Sequence, residues 1–203
     1  GRKLWALAKT GQVSSLKGND TTKGYVLLAT ACDGTMATTA QFTSIRVVCN
    51  NTLSIAVSDT ASAVKVPHRS KFDAQSVKKA LGISVSHWDE FMYRMKLLSE
   101  RKINTRESQA YFLSVLTDTN KLTITPHEKN KVMQVMDLYN GQGMGSHLAS
   151  ANGTAYGLLN AVTQFVDHEQ RAKSQDNRLN SAWFGQGSSL KSKALDEALL
   201  LAA

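Results

Sequence analysis

At 203 residues, with 42% hydrophobic and 20% charged positions and two prolines, the chain can bury a sizeable core, which excludes a disordered or fibrous protein. No run approaches the ~18 apolar residues of a membrane span, and no basic segment is followed by an apolar core and a cleavage site, so secretion is not expected. Cys32 and Cys49 lack the spacing of a zinc site or a disulfide framework, so a reduced cytoplasm is the expected setting, with no metal and no cofactor.

The net charge of +8 is lopsided. Residues 1–60 hold six bases and three acids, residues 61–102 nine and four, and residues 103–203 nine of each. A field of one sign therefore belongs to the first half.

The opening GRKLWALAKTG reads as the inside of a domain, so a further N-terminal segment is expected before Gly1. Apolar runs at 4–9 and 24–31 predict two strands joined by a flexible loop over the Gly-, Ser- and Thr-rich stretch between them, and Asp33-Gly34 predicts a turn. In AQFTSIRVVCNNTLSIAV, the residues Phe42, Ile45, Cys49, Leu53 and Ala56 recur every three or four positions, which predicts a short helix closed by Asn50 and Asn51 and then a strand. A hairpin turning at the asparagines is the competing pattern, and both need the left-handed backbone that Asn tolerates. Pro67 predicts an edge strand over 63–72, because it cannot donate to a central ladder.

From Asp73 the period becomes helical, with Gly82 as a stop. Ser86 and Asp89 predict the cap of a second helix, whose apolar stripe of Trp88, Phe91, Met92, Met95 and Leu98 belongs to a core. A third helix covers 105–117. A fourth opens on Thr125, Pro126 and Glu128 and stops at Asn140-Gly141. A long helix over 153–173 follows GQGMGSH, and the last is capped by Ser188 or Ser189. The expectation is one α+β domain over 1–203, with 1–70 mainly strands and 71–203 mainly helices.

No motif here carries chemistry on its own. GQGMG follows a helix and lacks the Gly-Lys-Ser/Thr ending of a phosphate loop, so it reads as a connection. SSLK at 188–191 has the serine–lysine spacing of penicillin-binding enzymes without their companion motifs. Asp167-His168-Glu169 has no second ligand group and reads as a solvated helix end. No nucleophile, base and orienter assemble from spacing, so no catalytic residue is assigned and an enzyme is unmotivated.

The basic stretch differs in kind. Arg69, Lys71, Lys78 and Lys79 follow the proposed edge strand, and Arg46 stands just before the asparagines. Such clusters bind nucleic-acid backbones because each neutralised phosphate releases condensed counterions. Trp5 and Tyr25, on predicted strands, are the candidates for stacking on bases. Lys191 and Lys193, in the neutral half, are expected to matter much less to such binding.

GRKLWALAK, YVLLATACDGT, FTSIRVVCNNTL, GTAYGLLNAVTQFVDH and SAWFGQGSSLKSKAL, in this order, resemble the phage/plasmid-like proteins grouped as domain of unknown function 932. The resemblance covers nearly the whole chain. It departs at TACDG, where the family shows Asn-Ser-His-Asp-Gly, so no role of that histidine carries over. It implies a mobile-element origin, a bacterial cytoplasm and a further N-terminal segment, and it transfers no activity.

Mobile elements encode many DNA-handling proteins, and a basic, strand-rich half followed by helices fits single-strand annealing proteins by analogy of fold. The reading is a protein that binds single-stranded nucleic acid in recombination or replication and assembles into homo-oligomers through the edge strand around Pro67. The alternative is an interaction module, binding a host factor or itself, without nucleic acid.

Overall fold

The computed structural model describes residues 3–55, 63–81, 85–118, 121 and 123–203. Five strands, β1 (Lys3–Leu16), β2 (Asp20–Ala31), β3 (Thr38–Arg46), β4 (Asn51–Ser54) and β5 (Val64–Val66), precede the helices among these residues. The helices are α1 (Ala74–Ala80), α2 (Val85–Glu100), α3 (Thr105–Leu116), α4 (Pro126–Asp137), α5 (Ala155–Gln164), α6 (Gln175–Phe184) and α7 (Gln186–Ala202). The architecture is α+β, strands first.

The sheet is antiparallel in the order β1-β2-β3-β4, and β5 pairs with β3 further along the edge that β4 occupies. β4 takes Thr43–Arg46 and β5 takes Thr38–Ala40, so the two short strands form one interrupted edge. β1 is the other edge. The predicted edge strand over 63–72 is confined to Val64–Val66, and Pro67 follows its end.

The stretch expected to be a flexible loop between the first two strands is mostly ladder. β1 runs to Leu16 and β2 starts at Asp20, with irregular register between Lys9 and Val13. Ser14, Ser15, Thr21 and Thr22 pair across the hairpin, and the Ser15 and Thr21 hydroxyls lie 3.0 Å apart. β-Branched threonines fit a pleated surface opposite small serines, and only Lys17, Gly18 and Asn19 are left to turn the chain.

The helix expected across Phe42–Asn51 is also overturned. Those residues form the β3–β4 hairpin, with Arg46 opposite Asn51 and four residues in the loop. Nearly every β3 residue is buried because helices or loops cover both faces, so the alternation that marks a strand is erased. Asn50 supplies the left-handed residue: its φ of 54° closes the loop, and its N–H donates to the Arg46 carbonyl at 2.8 Å. Asn51 does other work. Its side-chain amide donates to Asn160 O at 3.2 Å and Thr163 Oγ1 at 3.1 Å, tying the sheet to α5.

The registers place Val26, Leu28, Ala40 and Phe42 on one sheet face and Trp5, Leu27, Ala29, Thr39, Gln41 and Lys65 on the other. On the first face α1 seats Val77 and Leu81 against Ala40, while Phe42 joins the large helical core. The stripe of Trp88, Phe91, Met92, Met95 and Leu98 is buried there, as its period predicts.

The fourth helix has both halves of its capping box: Glu128 N–H donates to Thr125 Oγ1 at 3.2 Å and Thr125 N–H to Glu128 Oε2 at 2.9 Å. Its end widens into a π-helical turn, Leu138–Gln142, in which Gly141 takes φ 131°.

Three helix boundaries differ from expectation. α2 begins at Val85, so Ser86 lies inside it; the side chain of Ser86 and the expected stop at Gly82 fall outside the described residues. The long helix predicted to 173 ends as a π-helical turn, Phe165–Glu169, and α6, absent from the sequence pattern, follows. α7 starts at Gln186, with Gly185 rather than Ser188 or Ser189 as its N-cap. No helix among the described residues is long and apolar enough to cross a membrane.

Candidate nucleic-acid interface

Of the nine bases in residues 61–102, the structure neutralises some and frees others. Arg94, Lys96 and Arg101 pair with Glu90, Glu100 and Glu107. Lys102 Nζ donates to the Asn152 carbonyl at 3.3 Å. Lys65, Arg69, Lys71, Lys78 and Lys79 are all exposed, and among the described residues none has an acidic partner.

Local structure holds these five cations outward. Ser70 N–H closes a turn onto the Pro67 carbonyl at 2.9 Å, and His68 Nε2 lies 3.0 Å from the Met36 carbonyl, which places Arg69 at the end of β5. In α1 only Val77 is buried, so Lys78 and Lys79 face solvent in the last turn, where the helix dipole favours a cation. The one acid in the segment, Asp73, is occupied as the N-cap of α1, accepting from Gln75 N–H at 3.0 Å and Ser76 Oγ at 2.5 Å. The Ser76 hydrogen bond holds its pKa below the ordinary value.

Arg46, the fifth cation expected at phosphates, is elsewhere and spent. It is 4% exposed, and its Nε and Nη2 each donate at 2.7 Å to the two carboxylate oxygens of fully buried Asp20. Nη2 also donates to Gly145 O at 3.0 Å, Nη1 to Met144 O at 3.4 Å, and the guanidinium lies 5.3 Å from the Tyr156 ring centroid. Burial acts against its charge, yet the Asp20 hydrogen bonds raise its pKa. Ser150 Oγ donates to Asp20 Oδ2 as well. GQGMG is thus a connection whose carbonyls clamp Arg46, and Gly145 must be glycine: φ is +70° and a Cβ would lie 2.7 Å from Val48 Cγ1.

Lys191 is not a surface lysine either. At 3% exposure its Nζ donates to Asp167 Oδ1 at 2.7 Å, Thr52 Oγ1 at 2.8 Å and Thr52 O at 2.9 Å. Asp167 in turn accepts from Thr52 N–H at 2.7 Å, so the expected solvated helix end is a buried tie between α7, the π-helical turn and β4. Burial lowers the Lys191 pKa.

Trp5 and Tyr25 share the sheet face opposite α1, and both are half-buried. Trp5 meets Trp183 edge to face at 5.3 Å and stacks on Phe184 at 5.9 Å, which fixes α6 against the sheet. Beside this aromatic group opens a cleft of about 770 Å³ between the sheet and the α6–α7 junction, with Lys3, Gln41, Lys65, Trp183 and Ser188 on its walls. Lys65 therefore belongs to both the exposed basic segment and the cleft. The sequence reading passed over Lys3 and Lys65 and placed the α7 cap at Ser188 or Ser189; the usable signals were Lys65 within the basic run and the Gly-Gln-Gly-Ser-Ser at the helix opening.

Among the described residues no group of three His, Cys, Asp or Glu is arranged to hold a metal ion. The family model described as domain of unknown function (DUF932) matches residues 1–183. No curated protein and no solved structure matches the chain.

Proposed function

We propose that this chain, which belongs to the domain of unknown function 932 family, binds single-stranded nucleic acid through the exposed segment from Lys65 to Lys79. The observation that carries the reading is the selective pairing: neighbouring cations have carboxylate partners, while these five stand exposed with none among the described residues. Cations held in solvent without counter-charges release phosphate counterions at little desolvation cost. A mobile-element role in recombination or replication, in the cytoplasm of a bacterial host, accords with this reading.

Fluorescence anisotropy with labelled oligo-dT at several salt concentrations tests it. The wild type is expected to show a log–log salt slope of about −0.7 per phosphate neutralised. Arg69→Glu/Lys71→Glu/Lys78→Glu/Lys79→Glu should abolish most of the binding, whereas Lys129→Glu/Lys173→Glu should change it little. Lys191 is no use as a control, because its loss disturbs the core. Equal affinity of the folded quadruple variant and the wild type would sink the reading.

A second reading, self-assembly, is favoured by β1. Among the described residues its outer edge has no strand partner, and Leu4, Leu7 and Val13 are exposed along it. An open edge of this length is a template for pairing. Light scattering of wild type and Leu7→Lys should show a larger species lost in the variant; a 22 kDa species alone, with and without oligo-dT, would remove it.

A further inference from the structure

The cleft at the α6–α7 junction has a chemistry of its own. Lys3 and Lys65 both stand on its walls, and no carboxylate is among the described residues that line it. Lys3 Nζ spends one proton on Asn180 Oδ1 at 2.9 Å, leaving two for a ligand, and Lys65 is exposed. A cleft whose described lining holds two cations and no anion favours a negatively charged occupant.

The 17-residue helix α7 opens on this cleft. Its N-cap is Gly185, which has no side chain to cap the first turn; Gly187 N–H is taken by Ser181 Oγ at 3.2 Å, the Gln186 and Ser188 amides have no side-chain cap from Gly185, and Ser188 and Ser189 line the same wall. Gly187 lets the helix start close in: a Cβ there would lie 2.7 Å from Val166 Cγ1 and 2.9 Å from Ser181 O. Amides, hydroxyls and the positive end of a helix dipole together suit a phosphate.

An independent sign comes from the floor. Gln41 is 3% exposed; its Nε2 donates to Ser54 Oγ, but its Oε1 has no hydrogen-bond partner. A buried acceptor left unpaired is costly, so a ligand that brings an N–H or O–H to it gains by pairing it. Trp183 and Phe184, braced by Trp5, add flat apolar surface on which a ring can lie. The volume falls within the roughly 300–1,000 Å³ of small-molecule sites.

Cations and a helix start for a phosphate, an unpaired acceptor for a donor group and flat aromatic surface for a ring, all on one cleft, describe one class of ligand. We infer that the cleft is a binding site for a nucleoside phosphate, its phosphate between Lys3, Lys65 and the start of α7, its donor group at Gln41 Oε1. The inference does not need the strand-binding reading, since a free nucleotide and a nucleotide unit of a strand share this chemistry.

Isothermal titration calorimetry with adenosine 5′-monophosphate, adenosine and inorganic phosphate tests the site. The monophosphate should bind saturably and more tightly than either fragment. Lys65→Glu, at an exposed position, should weaken it by about tenfold or more while the circular dichroism spectrum stays unchanged, as loss of a charge-assisted contact requires. Gln41→Met should narrow the gap between the monophosphate and inorganic phosphate. The Arg69/Lys71/Lys78/Lys79 quadruple variant should bind the monophosphate like the wild type, which separates this site from the strand-binding segment. A 5′-phosphorylated oligo-dT added in competition assigns the source: displacement marks a nucleotide unit of a strand, and its absence a free nucleotide, each in keeping with the site. No saturable binding of the monophosphate, binding no tighter than that of inorganic phosphate, or undiminished binding by Lys65→Glu overturns the inference.

Discussion

Arg46 and Lys191 carry the same charge as Arg69 and Lys79, yet the two sets act oppositely. The first two are buried, each on a carboxylate at 2.7 Å, and they join the sheet to the helices: Arg46 through Asp20 to the connection before α5, Lys191 through Asp167 and Thr52 to β4. The second set lies on the short β5–α1 segment, exposed and without acidic partners among the described residues. A buried cation is specified by its counter-charge and by carbonyls that saturate its protons, because desolvation is otherwise prohibitive. An exposed one is free for a partner from solution. Composition counts both alike, and only their surroundings separate structure from recognition.

Removing a carboxylate should break the buried set most severely. Asp20→Ala leaves Arg46 uncompensated at 4% exposure and takes an acceptor from Ser150, so stability should fall by about 3–5 kcal/mol in urea denaturation. Adding Arg46→Met to that variant should restore a large part of the loss. A drop below about 1 kcal/mol for Asp20→Ala would mean that the buried pair does not anchor the sheet as described.

The exposed set should behave in the opposite manner. Each of the four glutamate substitutions at Arg69, Lys71, Lys78 and Lys79 should alter stability by no more than about 0.5 kcal/mol, although together they should remove the nucleic-acid binding we propose. A quadruple variant that unfolds in the same range of urea as Asp20→Ala would erase the distinction between the two regions.

Glu128 stands between the two sets: it is a solvent-accessible charge that does have local partners, and its effect is modest. Its hydrogen bonds with the Thr125 side chain, then with the Thr125 backbone, hold its pKa at about 2 against an ordinary 4.5. A carboxylate depressed in the folded state stabilises fully above its unfolded pKa, and that contribution disappears as pH falls through the folded value. Stability should therefore decline between about pH 4.5 and 2, and Glu128→Gln should flatten that part of the curve. Identical acid profiles for variant and wild type would show that the capping box is not formed in solution.

Much of this was legible in the chain. The stripe of α2 and the Thr125–Glu128 box of α4 are local: a helix period and a cap depend on neighbours within a turn, so sequence suffices. The exposed basic run was also legible, as an excess of charge in a short span. The β3–β4 hairpin was mistaken for a helix because β3 lies inside the sheet, covered on both faces, and its apolar spacing records tertiary burial rather than secondary structure. The Gly185 cap was missed for a similar reason, since Gly187 and the close approach of α7 to Val166 and Ser181 decide where that helix begins.

The order of strands before helices, the family and the span in which positive charge gathers are written in the chain, since all are properties of residues near one another in it. The tertiary structure alone decided which cations are free and where a cleft opens. Asp20 lies far from Ser150 in sequence, Thr52 from Lys191 and Lys3 from Asn180, yet each pair is within hydrogen-bonding distance. Burial and counter-charge are set by contacts between distant segments, and no local pattern encodes them.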